Sequence, residues 1–254
     1  MQPHSDYQFE ICSNSVESCL QAQKGGADRV ELCCALEEGG LTPSYATIKE
    51  ARQLTDLKIH VLIRPRSGDF HYSENELKVM AEDIRQAVFL GADGIVIGCL
   101  TEDGDVDVKA MQKLLEAADG KPVTFHRAFD CCRDARKAVQ ELIRLKVDRI
   151  LTSGQQPSAE KGIPLLRELQ KEYGDQIIFL AGCGVNESNI SRIHKETGIR
   201  EFHFSAREKK PTGMKYFNRD VYMGTPDSDD YSFDVTSAEK VRNTIDKLTE
   251  SRPS

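Results

Sequence analysis

The chain has 254 residues, 39% of them hydrophobic, which is enough for one large α/β domain or two smaller ones. Its 41 acidic and 34 basic residues give a formal net charge of −7. We therefore expect no nucleic-acid or anionic-membrane surface, because binding to phosphate groups requires concentrated lysine and arginine. No apolar run approaches the roughly 18 residues that span a bilayer, and the N-terminus lacks the pattern of a secretory signal.

The eight cysteines indicate a cytoplasmic protein with reduced thiols. Disulfide frameworks are typical of secreted chains, and no secretory signal is visible here. The two adjacent pairs, Cys33-Cys34 and Cys131-Cys132, do not have the C-x-x-C spacing of a structural zinc site. We therefore expect no such zinc site.

Eight apolar runs predict eight β-strands in chain order. They are QFEIC (8–12), GGADRVELC (25–33), LKIHVLI (57–63), LGADGIVIGC (90–99), KPVTFH (121–126), LKVDRILTSG (145–154), QIIFLAG (176–182) and TGIREFHFS (197–205). In the longer of these a small or turn-forming residue ends a helix, polar residues cross a loop, and the strand follows. Strand starts recur roughly every 20–35 residues, about the length of one βα unit.

Helix-start signals lie between these strands. The predicted capping residues are Ser73 with Glu76, Thr236 with Glu239, Thr42 followed by Pro43, Asp134, and Asn186. Strands that alternate with helices predict an α/β fold, and eight units predict a closed (β/α)₈ barrel of TIM type. An open doubly wound sheet is the alternative, but no G-x-G-x-x-G turn follows the first strand.

The predicted barrel is a single domain covering residues 1–254. Residues 206–236 interrupt the alternation, because this segment is long and polar. We predict a surface loop there, followed by a last helix near residues 237–250.

Polar residues lie at the C-terminal ends of the predicted strands, where barrel enzymes place their active sites. Strand by strand they are Glu10 and Cys12, Glu31 and Cys33, His60 and Arg64, then His126, Arg127 and Asp130 in the stretch VTFHRAFD (123–130). Residues two apart share one face of a strand. If these faces point inward, carboxylates, imidazoles and guanidinium groups meet at the mouth of the barrel.

This convergence allows a functional and a structural interpretation. Acid–base catalysis is the predicted role of four residues, Glu10, Glu31, His126 and Asp130. Arg64 and Arg127 are predicted to hold an anion. In the structural alternative, ion pairs Glu31–Arg64 and Glu10–Arg127 merely close the barrel, because unpaired buried ions cost several kcal/mol each.

Glycine-rich loops follow the sixth and seventh strands, in LTSGQQ (151–156) and LAGCGVNESN (180–189). Glycine lets backbone N–H groups approach a ligand, and many barrels bind phosphate near the seventh and eighth strands. The residues predicted to bind a ligand here are Ser153, Gly154, Gly182, Gly184 and His203. In the alternative, the glycines serve only the geometry of the turns.

Two cysteines on adjacent strands, Cys12 and Cys33, could form a two-coordinate Cu(I) site, because soft thiolates select Cu(I). Cys34 follows Cys33 directly in the chain. The alternative is simple packing, since free cysteine is among the most buried residue types.

Seven ordered motifs together resemble the CutC copper-homeostasis family. They are EIC…GGADRVELC (10–33), EGGLTPS (38–44), IRPRSGDFHYS (63–73), VTFHRAFD, ILTSGQ (150–155), AGCGV (181–185) and EFHFSAR (201–207). The resemblance runs in register from about residue 8 to residue 207 and continues more weakly to the end. It implies a cytoplasmic (β/α)₈ barrel, a homodimer, and Cu(I) binding at Cys12 and Cys33.

Two principal hypotheses follow. In the first, which we adopt, the chain is a copper homeostasis protein that binds or handles Cu(I) in the cytoplasm. In the second, it is an enzyme that acts by acid–base chemistry on a small anionic metabolite, phosphorylated or not. A non-catalytic regulatory barrel is a third alternative.

Overall fold

The computed structural model describes residues 6–218, 220, 221, 223 and 229–249. It contains eight parallel strands, β1 Gln8–Ser13, β2 Arg29–Leu32, β3 Lys58–Leu62, β4 Gly94–Ile97, β5 Val123–Phe125, β6 Arg149–Thr152, β7 Ile178–Ala181 and β8 Glu201–Phe204. Each strand pairs with the next in chain order, and β8 pairs with β1, where His203 lies opposite Glu10. The sheet is therefore closed, which confirms the predicted (β/α)₈ barrel.

Eight α-helices surround the barrel within the described part of the chain. They are α1 Val16–Gly25, α2 Tyr45–Leu54, α3 Glu74–Phe89, α4 Val108–Ala117, α5 Ala135–Arg144, α6 Ile163–Tyr173, α7 Ile190–Thr197 and α8 Ala238–Thr249. Short 3₁₀ turns follow β2 and β5, at Leu36–Glu38 and Arg127–Cys131. No described helix is long and apolar enough to cross a membrane.

Two of the predicted helix caps are confirmed. Ser73 and Glu76 form the reciprocal capping box at the start of α3. Asp134 caps α5, where its side chain accepts a hydrogen bond from the N–H group of Lys137. Both satisfy backbone N–H groups that have no partner within the first helical turn.

Three predicted caps are wrong. Helix α2 is capped by Ser44, two residues after Thr42, whose hydroxyl instead bonds to the backbone of Arg64. Helix α7 begins after Asn189, while the side-chain oxygen of Asn186 accepts from Ser188 within the preceding turn. Thr236 is the last residue of a strand, two positions before α8.

The predicted polar loop at 206–236 contains a two-stranded antiparallel sheet. Strand β9, Arg207–Pro211, pairs with β10, Ser232–Thr236, and the pair lies beside α1. Residues 219, 222 and 224–228 of this segment, and the ends of the chain at 1–5 and 250–254, lie outside the described residues. Strand β9 could not be predicted, because it is exposed on both faces and shows no alternation of apolar and polar residues.

Apolar side chains pack in two separate places. The larger cluster fills the space between the strands and the helices and includes alternate residues such as Val30 and Leu32 of β2. A small cluster of Cys33, Leu62 and Val96 lies inside the barrel. The rest of the barrel interior is polar to an unusual degree, because the inward positions of β1, β2 and β8 hold charged groups. This polar interior leads directly to the candidate site.

Candidate functional site

A cavity of about 290 Å³ opens at the C-terminal ends of the strands. Seven of the predicted site residues line it: Cys12, Glu31, Arg64, His126, Arg127, Asp130 and His203. Leu62, Phe70 and Leu151 contribute apolar walls, and Gly39 and Cys131 complete the lining. The predicted convergence at the mouth is therefore present, although the roles of the individual residues remain predictions.

Cys12 and Cys33 lie side by side on β1 and just after β2, with their sulfur atoms 3.8 Å apart. The Cys12 thiol also lies 3.6 Å from a carboxylate oxygen of Glu31. Cys33 is fully buried, and its thiol donates to the carbonyl oxygen of Ser13. A hydrogen bond with Cys33 and burial together raise the pKa of the Cys12 thiol well above its usual value. The Cys12 thiol therefore holds its proton until something displaces it.

Beneath the thiols, His203 lies between two buried carboxylates. Its Nδ1 is 2.8 Å from Glu10 Oε1, and its Nε2 is 3.8 Å from Glu31 Oε2. Burial alone lowers the pKa of His203, but the charge of Glu31 and the hydrogen bonds with Cys12 and Glu10 outweigh it, so the pKa is raised well above its usual value. His203 is therefore an imidazolium that neutralises this part of the interior.

Glu10 lies below the cavity and does not line it. Its second oxygen accepts from Arg29 Nε, and Arg29 also bonds to Glu201, which in turn binds Arg149. Burial raises the pKa of Glu10, but Arg29 and His203 outweigh that effect and hold the pKa well below its usual range. Both oxygens of Glu10 are engaged, so its geometry suits positioning of His203 rather than contact with a ligand.

The structure does not contain the ion pairs of the structural alternative. Glu10 pairs with Arg29 instead of Arg127, and Arg127 pairs with Asp130 at 2.8 Å. Arg64 has no carboxylate within 4 Å among the described residues, so the predicted Glu31–Arg64 pair is wrong as well. Sequence reasoning missed Arg29, although it lies two residues before Glu31 and therefore on the same face of β2.

Arg64 is a buried cation that is held by backbone carbonyl groups. Its guanidinium donates to the carbonyl oxygens of Glu38, Gly40 and Gly68 at 2.7–3.0 Å. Its Cζ lies 5.1 Å from the centre of the Phe70 ring, and its Nε makes no hydrogen bond. Carbonyl dipoles and an aromatic face partly compensate its charge, but no anion does.

His126 follows β5 directly, and its ring centre lies 5.0 Å from that of Phe70. Its Nδ1 accepts the N–H of Ala128, in the 3₁₀ turn that follows, and its Nε2 has no partner. Burial, assisted by the charge of Arg64, lowers the pKa of His126 to about 3. The ring is therefore neutral, with its hydrogen on Nε2 because Nδ1 acts as the acceptor.

Asp130 lies in the 3₁₀ turn after β5 and faces the end of β6. Its carboxylate accepts hydrogen bonds from the Thr152 hydroxyl at 2.6 Å and from the N–H groups of Ser153 and Gln155 at 3.1 Å. The Ser153 hydroxyl and Arg127 also donate to it. The cluster of donors that the sequence assigned to an external anion thus binds a carboxylate of the protein itself.

The glycines predicted to bind a ligand do not line the cavity. The N–H of Gly154 donates to the Thr152 hydroxyl, and that of Gly182 donates to the Thr152 carbonyl. Gly182 is needed for packing, because a Cβ there would lie 2.5 Å from Leu151 and 3.3 Å from His203. Gly184 has φ +76°, which its turn requires. The structure therefore gives no support to a ligand-binding role for these three glycines.

Among the described residues, two groups of side chains could hold a metal ion. Cys12, Glu31 and Cys33 have potential ligand atoms within 4.8 Å of one another, as do Glu10, Glu31 and His203. In the second group the hydrogen bond between His203 and Glu10 occupies one ligand atom of each. The first group is therefore the better candidate metal site.

A closed eight-stranded barrel with thiols, carboxylates and imidazoles gathered at its mouth defines a (β/α)₈-barrel protein with a candidate metal and ligand site. The model of the CutC family matches residues 7–208, so the chain belongs to the CutC family.

Named relatives and solved structures agree with this assignment. A Bacteroides thetaiotaomicron protein named family protein CutC is 59% identical, over 95% of this chain and 98% of the relative. The human copper homeostasis protein cutC homolog is 45% identical, over 92% of this chain and 86% of the relative.

The crystal structure of a Streptococcus agalactiae protein named CutC superposes on this chain with a TM-score of 0.76. The two sequences are 36% identical, and the match covers 78% of this chain and 98% of that one. The structure of the aldolase QR15 superposes with a TM-score of 0.59 at 17% identity, over 81% of this chain and 92% of the aldolase chain. At this identity the similarity shows a shared fold alone.

Proposed function

We propose that this protein binds Cu(I) as its cargo through the thiolates of Cys12 and Cys33. The observation that supports the proposal is the 3.8 Å separation of the two sulfur atoms at the edge of the cavity. Metal–thiolate bonds of about 2.3 Å, as in zinc sites, let one ion bridge sulfurs up to about 4.6 Å apart. The names of the relatives, which include a copper homeostasis protein, agree with this proposal.

The donor set favours Cu(I) over a hard divalent ion. Thiolates select Cu(I), whereas carboxylate oxygens suit magnesium, calcium and manganese. Glu31 is the third potential ligand, and burial raises its pKa, which weakens it as an anionic donor. Binding must displace the proton of Cys12, so the affinity for Cu(I) falls as the pH is lowered.

Competition with a Cu(I) chelator of known affinity tests this proposal. The double variant Cys12→Ser, Cys33→Ser should lose stoichiometric Cu(I) binding. The matched control is Cys19→Ser, Cys99→Ser, which removes two other buried free thiols and should bind like the wild type. Cu(I) binding that persists unchanged in the first double variant would refute the thiol site.

Acid–base catalysis on a small anion is a second candidate function, and one observation favours it. Glu31 lines the cavity, and burial raises its pKa toward the range of a general acid or base. His126 and Asp130 suit this role less, because His126 stays neutral and Asp130 is held by several donors. Glu31→Gln should abolish turnover of any substrate found by screening, whereas Glu37→Gln, on the adjacent turn, should not.

The proposal also includes a cytoplasmic location and a homodimeric state. The eight cysteines are free thiols, which fits a reducing compartment. The dimer derives from the family resemblance, and light scattering of the purified protein tests it. A monomer at micromolar concentration would contradict that part.

A further inference from the structure

We propose that the cavity beside the thiols binds a small organic carboxylate, with Arg64 as its counter-charge and the Nε2–H of His126 as a second donor. The proposal does not depend on Cu(I), because neither residue is a thiol ligand. It also names the chemical class of the small anion on which acid–base catalysis, the second candidate function, would act in this cavity.

Arg64 supplies the first argument. The residue is 6% exposed, and no carboxylate lies within 4 Å of it among the described residues. The other buried arginine of the barrel, Arg29, contacts two carboxylates. Desolvated charges in proteins are normally paired, and breaking a buried pair is strongly unfavourable. A guanidinium that contacts only carbonyl groups and an aromatic ring is therefore suited to bind an anion from solution. Its Nε–H, which has no partner, would donate a hydrogen bond to that anion.

His126 supplies the second argument. Its Nδ1 is used by the Ala128 N–H, so its hydrogen is on Nε2, and that atom has no partner. A neutral imidazole donates a hydrogen bond without adding charge, so the pair of residues presents one positive charge and two unsatisfied N–H donors. Neither nitrogen is exposed to solvent, so a ligand must turn each side chain slightly to reach it.

The size and the walls of the cavity supply the third argument. A volume of about 290 Å³ is at the lower limit for small-molecule sites and holds about ten water-sized groups. Leu62, Phe70 and Leu151 provide apolar walls, so the molecule combines one anionic end with a short apolar or weakly polar body.

A carboxylate fits this site better than a phosphate. Phosphate sites typically use several backbone N–H groups at a turn or helix start. The amides of Ser153 and Gln155 bind Asp130, and those of Gly154 and Gly182 bind Thr152. One uncompensated cation balances a single negative charge, whereas a phosphate dianion brings two.

Calorimetric titration of the metal-free protein with isobutyrate, L-lactate and inorganic phosphate tests the inference. The carboxylates should bind and phosphate should not. His126→Asn should weaken carboxylate binding about tenfold, because a hydrogen bond to a charged group is lost. Asparagine keeps an acceptor where Nδ1 was, so the turn at Ala128 retains its hydrogen bond.

Arg64→Gln should abolish carboxylate binding, with Arg66→Gln as the matched control. Arg66 bonds to Glu76 and Asp69 and does not line the cavity, so its removal should leave the affinity unchanged. Because Arg64 also anchors two loops, His126→Asn is the decisive variant if Arg64→Gln fails to fold.

Three results of these titrations would overturn the inference, and a fourth concerns the thiol variant. The three are no carboxylate binding by the wild type, phosphate binding as tight as carboxylate binding, and unchanged affinity in His126→Asn. The double variant Cys12→Ser, Cys33→Ser should still bind carboxylate. Its behaviour therefore separates this site from the proposed Cu(I) site, and loss of carboxylate binding only in that variant would also overturn the inference.

Discussion

The imidazole of His126 is enclosed by the ring of Phe70 and by Gly98, and it faces the charge of Arg64. A Cβ at residue 98 would lie 2.6 Å from the imidazole, so only glycine leaves room for the ring. In the sequence Gly98 looks like an ordinary strand end. Its importance follows from contact with a residue 28 positions later, which no local pattern encodes.

Burial of a neutral histidine makes the folded protein sensitive to acid. The pKa of His126 is about 3 in the folded chain and near 6.5 when unfolded, so between these values the unfolded state binds more protons. Its contribution to stability therefore falls as the pH drops through this window. Between pH 6 and pH 5 the wild type should lose about 1 kcal/mol more unfolding free energy than His126→Asn.

Urea unfolding at a series of pH values measures this difference. Above about pH 7.5 the two curves should differ by a constant, because His126 is then neutral in both states. Parallel curves down to pH 5 would show that His126 is protonated as readily in the folded chain as in the unfolded one.

At the scale of the elements, the apolar runs of the sequence predict all eight barrel strands and their order. The predicted helix caps are less accurate, because several capping residues lie close together. Thr42 and Ser44 are alternative capping residues for α2, and Asn186 and Asn189 are alternative capping residues for α7. Each of these side chains can bond to a nearby backbone N–H, and packing of the helix on the barrel decides which one does.

The capping box of α3 gives a prediction at this scale. Ser73→Ala removes the acceptor for the Glu76 N–H and should lower the unfolding free energy by about 1 kcal/mol. Ser67→Ala is the matched control, because no side-chain hydrogen bond of Ser67 is present among the described residues, and it should change stability little. Equal midpoints of chemical unfolding for the two variants would contradict the assignment of the box.

At the scale of the whole molecule, the interior of the barrel is an ionic network rather than a set of aliphatic layers. The sequence correctly places Glu10, Glu31 and Arg64 on the inward faces of their strands. The alternation of side chains along a strand does not show, however, how deep each residue lies along the barrel axis. Depth follows from strand register, which sets Glu10 opposite Arg29 on one side and His203 on the other. The ion pairs of the network could therefore not be predicted from the polar pattern alone.

The same register divides the barrel into a structural and an open half. Charges below Glu31 neutralise one another through Arg29, Glu201 and Arg149, whereas Arg64 and His126, nearer the mouth, retain unpartnered nitrogen atoms. Arg149 Nη1 and His60 Nδ1, deeper in the barrel, also lack a hydrogen-bond partner, but Arg64 and His126 line the cavity that a ligand can enter. This division supports a binding site at the mouth and a scaffold beneath it.

Arg29 is central to the scaffold, and its removal should be costly. Its side chain is 3% exposed and binds Glu10 and Glu201, so Arg29→Met leaves Glu10 with His203 as its charged partner and should lower the unfolding free energy by about 3–5 kcal/mol.

Arg136→Met is the matched control, because Arg136 also binds two carboxylates, but with a half-exposed side chain. Screening by water limits such surface pairs to about 1 kcal/mol or less. Adding Glu10→Gln to Arg29→Met should restore part of the lost unfolding free energy, because it removes the unpaired charge of the Glu10 carboxylate. Similar unfolding midpoints in urea for the two arginine variants would mean that the buried pairs are no stronger than the surface ones, and the interior would then tolerate an unpaired carboxylate.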